Sequence, residues 1–201
     1  TLVAPQLRVK KMTYLSKDER REAILQAAMR VALNDGFTGM TVRNIAAEAK
    51  VATGQVHHHF ASAGELKAQA FISLIRALLD ADVVAENASW RERLFAMLGS
   101  DDRSFEPYIR LWREAQLLAA RDPEIKGAYL LTMEMWHQET VDIIRAGEQA
   151  KAFTLKDTAE NVAWRLIGLV CGLDGLYALS MPEMDDAAFN QHLKTLITLE
   201  L

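Results

Sequence analysis

The chain is poor in the residues that cross-link or punctuate small folds. It carries one cysteine, Cys171, in 201 residues, which excludes an internal disulfide framework and a cysteine-rich zinc site. Such usage fits a reducing compartment, so a cytoplasmic location is expected. Ten glycines and four prolines are too few, and too irregularly spaced, to mark off the strands of a sandwich or barrel. An all-α fold is therefore expected. Long apolar runs are also missing. The most lipid-like stretch, AWRLIGLVCGLDGLYALSM at 163–181, is broken by Arg165 and Asp174 and is marginal against the ~20 apolar residues that a span needs. No membrane partner is expected. The opening TLVAPQLRVKK lacks the apolar centre of a secretory signal, and residues 1–15 are expected to be a mobile basic arm.

What is there is enough to build a core: half of the residues are hydrophobic and a quarter charged. The net charge of −4 argues against a nucleic-acid partner until its distribution is read. Residues 1–67 hold ten Lys and Arg against six Asp and Glu, whereas residues 68–201 hold thirteen against twenty-one. A basic head on an acidic body approaches phosphate with the head alone, because the electrostatic footprint belongs to a domain rather than to a chain average.

Capping signals divide the head into helices. Ser16 with Glu19 three residues on is a capping-box spacing; the helix it opens buries Ile24, Ala27, Ala28 and Val31 and is closed by Gly36. Thr41 caps a short second helix through Val42, Ile45 and Ala46 or Ala49. A third runs from near Ala52 to Phe60, and Ser62 caps a long fourth. Two short helices joined by a tight turn and framed by longer ones make a helix-turn-helix, whose second short helix is free to enter a major groove. Further helices are expected near 89–99, 104–121, 124–150, 157–181 and 185–199, with Pro123 and Pro182 as stops.

The third helix contains His57, His58 and His59 in a row. Successive helical side chains are rotated by about 100°, so the three cannot chelate one ion, and no metal site or cofactor is expected. Val56 and Phe60, four apart, anchor this helix to Ile24, Val31 and Ile45. That leaves Thr53, Gln55, His57 and His59 toward solvent or a ligand, with Gly54 admitting another backbone. Gln55 is suited to adenine N6 and N7, and imidazole N–H groups to phosphate oxygens. The plainer alternative is a solvated polar face.

Residues 20–66, RREAILQAAMRVALNDGFTGMTVRNIAAEAKVATGQVHHHFASAGEL, resemble the DNA-binding head of the TetR family of bacterial transcriptional regulators. The resemblance lies in an Ile-Leu-x-Ala-Ala helix ending in Gly-Phe, a Thr-x-x-x-Ile-Ala helix, and Val-x-x-Gly-x-x-x-x-His-Phe before Ser. It implies residues 16–61 as a DNA-binding domain and 62–201 as a ligand-binding and dimerisation domain. It places Thr41, His57 and His59 where phosphates are touched, and Arg43, Thr53, Gln55 and His58 where bases are read. Three departures stand out. Lys50 occupies a turn position usually held by glycine, where a left-handed backbone costs ~1–2 kcal/mol and a phosphate contact is a possible offset. Ala52 replaces the common Ser or Thr cap, a loss of ~1 kcal/mol. Ala63 replaces a frequent phosphate-binding lysine, for which Lys67 is the candidate substitute.

In the body, the helix at 157–181 is apolar almost all round, through Val162, Trp164, Leu166, Ile167, Leu169, Val170, Leu173, Leu176 and Tyr177, and so needs cover on both sides. The last helix is expected to join it through Phe189, Leu193, Leu196 and Ile197 in a homodimer interface, as the resemblance also implies. An effector pocket is expected near Trp112, Met133, Trp136, His137 and Trp164, taking an apolar or aromatic compound, or a cation over indole with Glu114, Glu134 or Asp174 nearby. An enzyme is the rival reading. Glu134 and His137 form one Glu-x-x-His spacing, but the second copy that a di-metal bundle needs is absent, and Cys171 sits in an apolar run as a small buried residue. The expected function is a non-enzymatic repressor binding a palindromic double-stranded DNA operator and released by a small-molecule inducer.

Overall fold

The computed structural model describes residues 15–81, 84–99 and 105–201, and its described residues form nine helices and no strand. They are α1 (Lys17–Gly39), α2 (Val42–Ala49), α3 (Thr53–His59), α4 (Ala63–Leu79), α5 (Trp90–Leu98), α6 (Glu106–Leu118), α7 (Pro123–Gln149), α8 (Ala159–Ala178) and α9 (Asp186–Glu200). Nearly all of the basic arm and the start expected at 104 lie outside the described residues.

Side chains set most of the helix starts. Ser16, Thr41, Ser62, Ser89, Asp122, Thr158 and Asp185 each accept a first-turn backbone N–H, and Ser16 and Ser89 complete capping boxes with Glu19 and Glu92. Each such cap contributes about 1 kcal/mol. Gly36 interrupts α1 rather than ending it. At φ 68°, ψ −171° it makes an elbow, after which Phe37–Gly39 form one more turn.

Two apolar clusters hold the helices together. The first joins Ile24, Val31, Phe37, Ile45, Val56 and Phe60 of the head to Leu66 and Phe71 of α4, and continues into Leu111 and Ala115 of α6 and Ile125 of α7. The second collects Leu94, Trp136, Ile144, Leu166, Ile167, Leu193 and Ile197 from α5, α7, α8 and α9. Leu79 and Trp112 pack against both. The fold therefore places α6 between head and bundle.

The last helix corrects one expectation. Leu193 and Ile197 are 0% and 3% exposed and Leu196 packs on the same cluster, so the apolar stripe of α9 is used up inside the monomer. Exposed apolar side chains cluster on α8 and just beyond it, at Trp164, Leu176, Leu179 and Met181, with others at Leu117 on α6, Leu130 and Leu131 on α7 and Leu199 on α9. Added methyl groups at Gly168, Gly172 and Gly175 would meet nothing within 4 Å. Among the described residues no helix is long and apolar enough to cross a membrane.

Candidate nucleic-acid interface and effector cavity

The 3.6-residue period gives α3 two faces. Val56 and Phe60 are each 2% exposed, seated in the head core. Ala52, Thr53, Gly54, His57 and His58 are exposed and Gln55 is half-buried. A Cβ on Gly54 would meet no atom within 4 Å, so the outer face is open to another backbone.

The turn before α3 is built by Lys50, left-handed at φ 57°, ψ 43°, where it ends α2. The Lys50 N–H donates to the Ala47 carbonyl (3.1 Å) and the Val51 N–H to the Ala46 carbonyl (3.0 Å), closing the helix end. Ala52 provides no side-chain cap. The start of α3 is therefore positioned by the preceding turn and its own apolar anchors. Thr41 and Arg43 are exposed at the start of α2, where the Thr41 hydroxyl accepts the Asn44 N–H at 3.1 Å. Lys67 is half-buried on α4.

His59 corrects the expected solvent-facing placement. Its ring is half-buried, with Nδ1 enclosed and without a partner. It meets His58 edge-on at 5.1 Å. Burial, then the charge of His58, Lys17, Arg20 and Arg21, hold its pKa below the ordinary histidine value. Burial and the neighbouring cations both disfavour the charged ring. The same neighbours bring basic residues of α1 beside α3, which the sequence reading took only for a helix start. Arg21 lies over the Phe60 ring at 4.5 Å and donates to Gln69 at 2.6 Å.

The body contains a cavity of about 400 Å³, lined chiefly by α5, α6, α8 and the start of α9, within the size range of small-molecule sites. Trp112 and Trp136 line it as expected. Their rings meet at 5.2 Å, and Trp112 also meets Tyr129 at 6.2 Å. The Trp136 indole N–H donates to the Met97 carbonyl at 2.9 Å, which fixes its ring. Met133, His137 and Trp164 are absent from the wall. One residue beyond Trp136, His137 is turned toward α8, where it donates to the Glu160 carbonyl (3.0 Å) and stacks on Trp164 at 4.1 Å. Trp164 is itself 46% exposed.

The remaining wall comes from Trp90, Phe105, Ile109, Tyr177 and Phe189. Of the three acids expected nearby, only Asp174 reaches it; Glu134 is exposed, and Glu114 faces the head. Asp174 takes Arg113 Nε at 2.8 Å and Nη2 at 2.6 Å, while Arg113 Nη1 reaches Glu106 at 3.0 Å. The hydrogen bonds it donates to Asp174 raise the Arg113 pKa and hold the guanidinium charged. Cys171 is also on the wall and has exposed surface, unlike the buried residue expected. Partial desolvation and the Asp174 charge push its thiol pKa up, the opposite of an activated nucleophile. Among the described residues no three His, Cys, Asp or Glu side chains are grouped to hold a metal ion.

Opposite the cavity, α6 grips the α1 elbow. Arg110 donates to the Leu33 and Asn34 carbonyls at 2.7 and 3.3 Å, and the Glu114 carboxylate accepts the Phe37 N–H at 2.8 Å. Gly36 lies between them, and a Cβ there would come within 2.5 Å of both Glu114 oxygens. One helix thus bounds the cavity and clamps the head.

An exposed short helix after a left-handed turn, carried by a three-helix head on a larger helical body, defines a helix-turn-helix DNA-binding regulator. Residues 24–69 match the bacterial regulatory proteins of the tetR family. The chain is 29% identical over 163 residues to the HTH-type transcriptional regulator BetI of Rhizobium meliloti (strain 1021), covering 79% of this chain and 76% of that one. Solved structures share the fold. A transcriptional regulator from Saccharomonospora viridis in complex with choline superposes with a TM-score of 0.68 at 23% identity, over 90% of this chain and 96% of that one. The multidrug binding protein EbrR complexed with proflavin gives 0.61 at 23% identity, over 89% and 99%. The similarity to the tetR family thus lies in the head, and the solved regulators share the helical layout of the whole chain.

Proposed function

We propose that this regulator is a homodimeric repressor that binds a palindromic operator through α3 and releases it when an organic cation fills the cavity. Residues 16–61 form the reading head, and residues 62–201 the effector and dimer unit. Thr53, Gln55 and His58, with Arg43, read base edges; Thr41, Lys50, His57 and Lys67 hold the backbone.

The observation that carries the effector assignment is the cavity wall, where indole and phenol rings are accompanied by the acidic residues Glu106, Asp174 and Asp186. Aromatic faces attract cations through the ring quadrupole, and quaternary ammonium groups are favoured guests of such cages. The likeness to structures holding choline and proflavin, both organic cations, supports the same class.

The exposed apolar face of α8 supports the dimer. Trp164 on one side and Leu176 and Leu179 on the other flank Gly168, Gly172 and Gly175, which allow close approach, and a two-fold axis through this face pairs it with itself. The test is fluorescence anisotropy of operator DNA drawn from the gene's own upstream region, with choline and proflavin added in turn. Release of DNA by a cation at concentrations that leave an unrelated repressor bound is expected. Undiminished binding under saturating cation would refute the effector assignment.

A further inference from the structure

Of the acidic residues on the cavity wall, Asp174 is already paired within the protein. Both Asp174 oxygens are engaged by Arg113, at 2.8 and 2.6 Å. The pair is not sealed in the core: the Arg113 and Asp174 side chains are 25% and 24% exposed, on the cavity wall. A guest cation drawn in by the rings meets a counter-charge already balanced by the protein's own guanidinium.

Arg113 has somewhere else to go. Its Nη1 already reaches Glu106, seven residues earlier on the same helix, at 3.0 Å. Letting go of Asp174 leaves it paired rather than isolated, so exchange avoids the large penalty of stranding a desolvated charge. The other arginine on the wall, Arg93, is turned to the Ala88 and Glu86 carbonyls at 3.2 and 2.5 Å and offers Asp174 no replacement.

We propose that Asp174 is the anionic seat for the effector and that Arg113 is its resident occupant, displaced onto Glu106 when an organic cation binds; this rests on the cation reading of the cavity given above. Arg113 is then a specificity filter. A charged guest replaces the ion pair it breaks, whereas a neutral molecule of the same shape breaks the pair and returns nothing. The exchange also occurs on the helix that clamps the α1 elbow through Arg110 and Glu114. A cation's preference for the exchanged arrangement is thereby linked to the position of the head.

The experiment titrates full-length wild type, Arg113→Gln, Arg113→Lys and Asp174→Asn with proflavin, followed by dye fluorescence. Uncharged acridine at about pH 8 is the neutral comparison, and far-UV circular dichroism checks folding. Removing the competitor should tighten proflavin binding by about tenfold in Arg113→Gln, and severalfold in Arg113→Lys, which keeps charge but loses the fork geometry. Asp174→Asn should weaken it by about tenfold. Acridine should bind the wild type more weakly than proflavin, and the two should draw closer in Asp174→Asn. Wild type that binds proflavin while both Arg113 variants bind it equally or more weakly would overturn the displacement and leave the cation reading standing. Should Arg113→Gln not fold, Arg113→Lys decides by the same criterion. Proflavin and choline failing to bind any of the four proteins at millimolar concentration would overturn the cation reading and this inference together.

Discussion

At Lys50 a non-glycine residue holds a left-handed backbone, φ 57° and ψ 43°, a conformation that costs an L side chain ~1–2 kcal/mol. Lys50→Gly should therefore raise stability by about 1 kcal/mol in urea denaturation while weakening DNA binding, if the ammonium is kept there for phosphate. Ala52→Ser should add about 1 kcal/mol by the capping bond that α3 lacks. His59 gives a pH signature of known sign. Its folded pKa lies below the ordinary 6.5, so it contributes stability above that value and withdraws it as pH falls through the lowered one. Denaturation midpoints measured downward from about pH 7 should fall less steeply in His59→Gln than in wild type. If α3 enters the groove, the double variant His57→Gln, His58→Gln, at exposed positions of its outer face, should lower operator affinity in fluorescence anisotropy.

Among the elements, α1 and α6 carry the most testable joint. Gly36 sits at φ 68°, ψ −171°, a region essentially reserved for glycine, with Glu114 closing over it. Gly36→Ala should cost about 2 kcal/mol or more in urea denaturation, combining backbone strain of ~1–3 kcal/mol with displacement of the Glu114 carboxylate. The helices and both faces of α3 were legible from sequence because their determinants are local: caps at Ser16, Thr41, Ser62 and Ser89, and the 100° rotation that separates Val56 and Phe60 from His57 and His58. The cavity was only half legible. Trp112 and Trp136 were identifiable as aromatics on a helix pair, but the rotation of α7 in its bundle decides that Trp136 faces inward and His137 outward. Nothing in local sequence encodes that rotation. Arg113 and Asp174 are 61 positions apart, so their pairing has no local pattern. The stripe of α9 misled because apolar periodicity reports that a face is covered, not which chain covers it.

For the whole molecule, the charge division and the two apolar clusters describe a basic reader attached to an acidic body through α4 and α6. The proposed pairing through α8 rests on its exposed apolar side chains. Leu176→Arg with Leu179→Arg should shift sedimentation from dimer to monomer with helicity retained. The same change should lower operator affinity by several orders of magnitude, because two half-sites bound together are far tighter than one. Unchanged sedimentation would move the interface elsewhere. Two heads in register on one face of a duplex, ~34–36 Å apart, require α3 to be the element in the groove. The most direct measurement is selection of bound sequences from random DNA by wild type and by Gln55→Ala, at about 50 and 200 mM salt. A palindrome with half-sites one helical turn apart, losing discrimination at one symmetric pair of positions in the variant, is predicted. Recovery of no preferred sequence, or of the same palindrome undiminished by changes at Thr53, Gln55 and His58, would contradict it.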